Sequence, residues 1–220
     1  RGEFAKFITA TGYDAGNSCY VYTGSKWESR SGKTWRDPGY SQTDRDPVAC
    51  VSWDDVKAYV DWMSRKSGKE YRLLSESEWE YIARAGSKSK YPFGASDKAL
   101  CQHGNGADQS TSFDWRNKSC KDGFGNKTSP VGSYQANNFG VHDTVGNVYE
   151  WVGDCWHKNY SGAPIDGSAW TSGGNCSRRV LRGGSWDNKP GFLRSAYRFW
   201  YDASERYVIH GFRIARTLSR

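Results

Sequence analysis

What the chain lacks narrows it first. No stretch approaches the ~18 apolar residues that a membrane-spanning helix needs, so no membrane span is expected. There is no Cys-x-x-Cys pair, and the 4 histidines (His103, His142, His157 and His210) lie far apart, so the spacing of a zinc site is missing. Only 1 methionine is present, hydrophobic residues make up 36%, and mean hydropathy is −0.84, figures that alone suggest disorder. Lys and Arg are dispersed and do not interleave with rings in any nucleic-acid motif, so no nucleic-acid partner is expected. The net charge of +7 reads as a solvated basic surface with a modest preference for anions. No signal peptide leads the chain, and Arg1-Gly2-Glu3-Phe4 opens already in a helical pattern, which predicts processing or a fragment of a longer, multidomain protein.

What is present argues against disorder. Aromatic residues make up 15%, with 11 Trp and 14 Tyr, whereas disordered chains are poor in rings. With 25 glycines, a core of rings held by turns fits better than stacked helices. No repeat, low-complexity tract or linker divides the chain, so one domain over 1–220 is expected. Six cysteines (Cys19, Cys50, Cys101, Cys120, Cys155 and Cys176) read as three disulfides in an oxidising compartment, secreted or periplasmic. Six cysteines allow about 15 pairings. Sequential neighbours are favoured because each closure pins a long irregular loop, contributing about 3 kcal/mol. Free buried thiols in a cytosolic protein are the competing reading.

Three helices are predicted. Phe4, Phe7 and Ile8 form a stripe that stops at Gly12. A second helix runs from the N-cap Ser52, with Asp55 three positions on, through Val56, Tyr59, Val60 and Met63 to Gly68. A third begins at Ser75, with Glu78 completing a capping box, and runs to Gly86. Beyond it lie short apolar pieces between Gly, Asn, Asp and Ser clusters, with strands expected near Val148–Val152, Val180–Arg182 and Phe212–Ile214.

Several phrases occur in order along nearly the whole chain: Arg1-Gly2-Glu3-Phe4, Val51-Ser52-Trp53, Tyr71-Arg72-Leu73-Leu74-Ser75-Glu76, Glu78-Trp79-Glu80-Tyr81, Gly146-Asn147-Val148-Tyr149-Glu150-Trp151, Leu181-Arg182-Gly183-Gly184-Ser185-Trp186 and Gly211-Phe212-Arg213. As an ordered set they resemble the formylglycine-generating-enzyme (sulfatase-modifying-factor) family. The resemblance implies a C-type-lectin-like α+β fold, loop-rich, with few helices and short antiparallel strands. It also implies that the family's strand region ahead of the Arg-Gly-Glu-Phe helix is missing or cleaved. The family contains copper oxidases that make formylglycine on sulfatases, sulfoxide-forming enzymes of ergothioneine synthesis and a periplasmic oxidase of siderophore maturation. It also contains cysteine-less bacterial paralogues and variable ligand-binding proteins, so membership does not fix an activity.

In the copper oxidases two cysteines follow the Gly-Gly-Ser phrase within about ten residues, because soft thiolates select Cu(I). Here no cysteine follows Cys176. The chain therefore resembles a cysteine-less bacterial-type paralogue, and no copper is expected. Ser185 matches a serine of the oxidase site but has no thiolate pair in sequence beside it. Asp187, Asp202 and Glu205 are candidate carboxylates for other chemistry, against the plain reading of acidic loop residues as surface.

Calcium is the expected cofactor, in a structural role. Asp143 and Glu150 stand seven residues apart with Gly146 between them, and a chain curling around an ion can offer the Asp143 and Glu150 side chains and the Gly146 and Val148 carbonyls. These positions match the family's calcium loop. The resemblance adds a second set: the Asn105 and Asp122 side chains and the Gly106 and Phe124 carbonyls. Without it, Asp122-Gly123 reads as an ordinary turn.

The family's substrate groove is lined by the segment that here carries Ser185, Trp186, Phe192, Arg194, Phe199, Trp200 and Tyr201. Its rings either present a ligand surface for a peptide, glycan or small molecule or pack as a rim. The expected function is a calcium-stabilised ligand-binding or protein-interaction module of the family. An oxidase of altered chemistry on a peptide or small aromatic substrate is the alternative, and formylglycine generation on sulfatases the third reading.

Overall fold

The computed structural model describes residues 1–218. Helix α1 (Gly2–Thr11) turns Phe4, Phe7 and Ile8 inward and ends where Gly12 adopts the left-handed conformation. Helices α2 (Trp53–Ser67) and α3 (Glu76–Arg84) each start on a complete capping box. Ser52 and Ser75 accept from the third backbone N–H, and Asp55 and Glu78 reach back to the cap N–H. Donors left without a partner in the first turn are satisfied in this way. Helix α3 stops one residue earlier than the sequence suggests: Ala85, rather than Gly86, is the left-handed cap, at φ 47°. Asn137 from a distant loop donates to the Ile82 and Ala83 carbonyls, supplying partners at that helix end. A short α4 (Leu100–His103) falls where no helical period is visible.

Strands β1 (Ser18–Tyr22) and β2 (Trp27–Ser31) form a hairpin, and β3 (Tyr71–Leu73) pairs with β8 (Ile214–Arg216). The main sheet takes β4 (Tyr149–Trp156), β5 (Asn175–Arg182), β6 (Arg198–Asp202) and β7 (His210–Phe212) in the order β6-β5-β4-β7. One pair departs from the antiparallel expectation: β7 runs parallel to β4, with Glu150 opposite Gly211. The stretch Phe212–Ile214, expected as one strand, divides at Arg213, whose guanidinium turns to the Glu150 carboxylate and to the His142 and Asp143 carbonyls.

The core is built of rings, as the composition implies. Phe4 contacts Phe7, Trp35 and Tyr59 at centroid distances of 5.4, 5.3 and 5.9 Å. Buried ion pairs join elements distant in sequence. Arg182, with no exposed surface, reaches Glu76 at 2.8 Å and Glu80 at 2.5 Å; Arg198 reaches Glu76, and Arg206 reaches Asp55. The sulfurs bond as sequence neighbours: Cys19–Cys50, Cys101–Cys120 and Cys155–Cys176. The first joins the hairpin to the entry of α2, and the third closes the loop between β4 and β5. No helix among the described residues is long and apolar enough to cross a membrane.

Candidate ligand cleft and calcium loops

After β5 the chain makes a tight turn through Gly183-Gly184-Ser185-Trp186-Asp187-Asn188. Gly184 has φ 76°, and a Cβ there would lie 2.4 Å from the Leu193 side chain, so conformation and space both call for glycine. Ser185 is fully buried, and its Oγ donates to Asp187 Oδ1 at 2.5 Å; Asn188 Nδ2 donates to the same oxygen at 2.9 Å. The Trp115 indole donates to the Asp187 carbonyl at 2.8 Å. Two donors thus hold one carboxylate oxygen. Oδ2 has no protein hydrogen bond among the described residues, and no salt bridge there answers the charge. Burial pushes the Asp187 carboxyl up to about 6, only partly offset by the Ser185 hydrogen bond.

This turn forms one side of a two-lobed cleft. The smaller lobe, about 300 Å³, is lined by Tyr22, Trp27, Trp115, Asp187 and Phe192 among others. The larger, about 480 Å³, shares Tyr22 and Trp115 and adds Tyr40, Phe113 and Trp186. Phe113 and Trp115 stack at 4.7 Å with their planes 13° apart, and Trp115 remains 41% exposed at the lip. Flat rings, a half-open indole and a buried carboxylate suit a planar ligand carrying a hydrogen-bond donor.

The residues expected from the Gly-Gly-Ser segment are divided by this geometry. Ser185 orients Asp187, Trp186 walls the larger lobe, and Phe192 lines the smaller. Arg194 lines neither lobe; it donates to the Gly191 carbonyl and lies 5.6 Å from the Tyr197 ring. Phe199, Trp200 and Tyr201 do not form one surface, because β6 alternates its faces. Tyr201 packs on Tyr207 at 4.2 Å, and Phe199 sits 5.4 Å from Tyr201. Trp200 turns instead toward Trp156 and lies under the Arg178 guanidinium at 3.8 Å. Sequence reasoning missed Tyr22, Trp27, Tyr40, Phe113 and Trp115, which come from the hairpin and two irregular loops and carry no shared local signal. In the sequence Asp187 stands out only as one of three candidate carboxylates. Asp202 pairs with Arg178 on the sheet edge, and neither it nor Glu205 lines the cleft.

The two calcium sets differ. Asn105 is 1% exposed, and its Oδ1 is buried without a partner. Asp122 accepts from Phe124 N–H and the Tyr134 hydroxyl, both at 2.8 Å, and its backbone N–H donates to the fully buried Asp108 carboxylate. Burial first, and then the Asp108 charge, raises the Asp122 carboxyl to about 6. The buried Asp108 and the half-buried Asp122 face one another there with no basic side chain in salt-bridge reach among the described residues. An orphaned buried amide oxygen and a pair of carboxylates without a basic partner are the kinds of hard oxygen donor that a calcium ion takes. In the other set, Asp143 has φ 58° and a buried Oδ1 without a partner. Its fourth member is already engaged: Glu150 accepts from Arg213 Nε and Nη2 at 2.5 and 2.6 Å and from the Trp79 indole at 2.5 Å. The Asp143 half fits a cation, whereas Glu150 has its charge answered by Arg213. No cluster of three or more His, Cys, Asp or Glu side chains is arranged for a metal among the described residues. Any calcium site here therefore needs amide and backbone carbonyl oxygens beside its carboxylates.

A loop-rich α+β domain with a Gly-Gly-Ser turn at an aromatic cleft defines the class of protein. The Sulfatase-modifying factor enzyme 1-like domain matches residues 1–218, and the chain belongs to that family. It is 33% identical over 215 residues to the formylglycine-generating enzyme of Thermomonospora curvata, covering 84% of this chain and 67% of the enzyme. It is 29% identical over 220 residues to the serine/threonine-protein kinase pkn1 of Chlamydia caviae, covering 97% of this chain and only 31% of the kinase. Among solved structures, PvdO from Pseudomonas aeruginosa superposes with a TM-score of 0.81 at 40% identity, over 99% of this chain and 77% of that one. The description of the chain as a cysteine-less paralogue is corrected by its 6 cysteines, paired in three disulfides. What the sequence lacks is any cysteine beyond Cys176.

Proposed function

We propose that this domain is a calcium-stabilised, secreted or periplasmic ligand-binding module. It takes a planar ligand against the Tyr22, Trp27 and Trp115 rings that line the cleft and directs a donor on that ligand to Asp187 Oδ2. The observation carrying this reading is the solvent-facing cleft of rings closed at one end by a buried carboxylate held through one oxygen only. Three disulfides favour an oxidising compartment. The match to one part of a much longer kinase favours a module that works fused to other domains. In this role Asn105, Asp122 and the Gly106 and Phe124 carbonyls hold calcium, which cross-links loops that have little backbone pairing. Asp143, with the Gly146 and Val148 carbonyls and Glu150, is the second and weaker set.

Catechol and its dimethyl ether, titrated against tryptophan fluorescence, test the cleft. Trp115→Ala should weaken catechol about tenfold, the value of about 1.4 kcal/mol of stacking. Asp187→Asn should weaken catechol while hardly changing the dimethyl ether. Unchanged binding in both variants would remove the cleft as the site. The second reading, an oxidase of altered chemistry on a small aromatic substrate, is favoured by the same carboxyl, because a group poised near 6 inside an aromatic cleft suits proton transfer. Turnover of a phenolic substrate that disappears in Asp187→Asn would establish it over simple binding. Formylglycine generation is kept as the third reading by the relatives' activity; co-expression with a sulfatase-motif peptide and mass analysis decides it.

A further inference from the structure

A second cleft, about 550 Å³, shares no lining residue with the aromatic one. The geometry points to this cleft as a binding site for a small planar carboxylate, held by Arg179 and Lys57 beside Trp53. Arg179 projects from β5 and lies 3.8 Å from the centre of the Trp53 ring. The indole is fixed by its own donation to the Val152 carbonyl at 2.8 Å. Nη1 of Arg179 donates to the Gly153 carbonyl, Nε is buried without a partner, and Nη2 makes no hydrogen bond among the described residues. Arg182, Arg198, Arg206 and Arg213 are each answered by a carboxylate, yet no carboxylate among the described residues comes within salt-bridge distance of Arg179. A stacked, partly desolvated guanidinium without a counter-charge is an anion site in waiting. Burial lowers the pKa of Arg179, and the more distant charges of Asp54 and Asp154 offset this only in part.

Lys57 lines the same cleft one turn along α2 from Trp53, tied only loosely to Asp61 at 3.6 Å. Arg72, also in the lining, is taken up by Glu78 at 2.6 and 2.8 Å and contributes no free charge. In the lining Arg179 and Lys57 stand against Asp166 while Arg72 and Glu78 cancel, and Asp54 and Asp154 act on Arg179 from outside it, so the weak positive field suits a monoanion better than doubly charged phosphate. Leu73, Ala169 and the Trp53 ring supply apolar contact for a flat body.

Benzoate, benzamide and inorganic phosphate are the probes, followed by calorimetry on the full chain. Benzoate should bind and lose affinity as salt is raised. It should weaken at least tenfold in Arg179→Gln, with a smaller loss in Arg179→Lys. Benzamide should not compete. Lys57→Gln, at a side chain outside the core, should cost about threefold with an unchanged melting temperature, which keeps the test valid if the Arg179 variants loosen the sheet. Benzoate binding that survives Arg179→Gln and Lys57→Gln, or phosphate binding tighter than benzoate, would overturn the inference. So would loss of benzoate binding in Asp187→Asn, because it would place the probe in the aromatic cleft instead.

Discussion

Asp187 is the residue at which environment most changes chemistry. Its folded form keeps a proton to about pH 6, whereas the unfolded chain releases it near pH 4. Because the folded pKa is raised, the stability this group lends is complete below about pH 4 and is lost as pH climbs through about 6. Two pKa units in a buried site correspond to about 2–3 kcal/mol. Asp187→Asn should therefore melt higher than the parent at pH 7.5 and match it more closely at pH 4. Calorimetry at both pH values reads this directly, and an Asn variant destabilised at pH 7.5 would show that the carboxylate is held favourably in its ionised form. None of this was legible in the sequence. Ser185 and Trp186 stand in a recognisable phrase, but the surroundings of Asp187 depend on Tyr22 from the hairpin and Trp115 from an irregular loop, both distant in sequence.

At the scale of elements, the three disulfides close loops of similar length, with sequence separations of 31, 19 and 21. Loop entropy depends only on the logarithm of length, so it does not rank them. Their surroundings do. Cys19 and Cys50 are sealed in the core at 1% and 0% exposure. Cys101 Sγ touches the Asp108 carboxylate at 3.1 Å, which disfavours a departing thiolate. Cys155 is itself fully buried, but its Sγ lies 3.2 Å from the Arg179 guanidinium, which favours a departing thiolate, and its partner Cys176, part-exposed at the start of β5, is the sulfur a reductant reaches. Mild reductant should open Cys155–Cys176 first and Cys19–Cys50 last, as read by timed alkylation and peptide mass analysis. Opening of Cys19–Cys50 ahead of the others would show that burial does not govern access. The elements themselves were legible unevenly. Helices α2 and α3 announce themselves through capping boxes, which are local. Strand β7 pairs in parallel with β4 and parts from β8 at Arg213, and both facts depend on Glu150, some sixty residues away in sequence.

A charged triad illustrates what holds the molecule together. Arg182, fully buried, bridges Glu76 and Glu80 on α3 and the Ser195 carbonyl beyond the Gly-Gly-Ser turn. Removing one partner leaves buried charge without an answer, so Arg182→Ala should cost about 3–5 kcal/mol, visible as a lowered urea midpoint. The proposed calcium site tests the same principle without mutation. Asp108 is buried and Asp122 half-buried beside it, and an ion bound there at 100 times its Kd would add about 2.7 kcal/mol. For a chain of this size each kcal/mol moves the melting temperature by about 2–4 °C, so calcium should raise it by about 5–10 °C and a chelator should reverse the change. The effect should also reach the cleft. Ala107 N–H donates to the Asn188 carbonyl at 3.0 Å, and a Cβ on Gly106 would strike Leu193, so the loop carrying Asn105 and Gly106 packs directly on the turn that presents Asp187. Chelation should therefore weaken catechol binding severalfold while leaving benzoate at Arg179 unchanged. Asp122→Asn should blunt both responses to calcium. A melting temperature indifferent to calcium and chelator alike would mean that no ion binds there and that Asp122 instead relieves the repulsion by keeping its proton up to about pH 6.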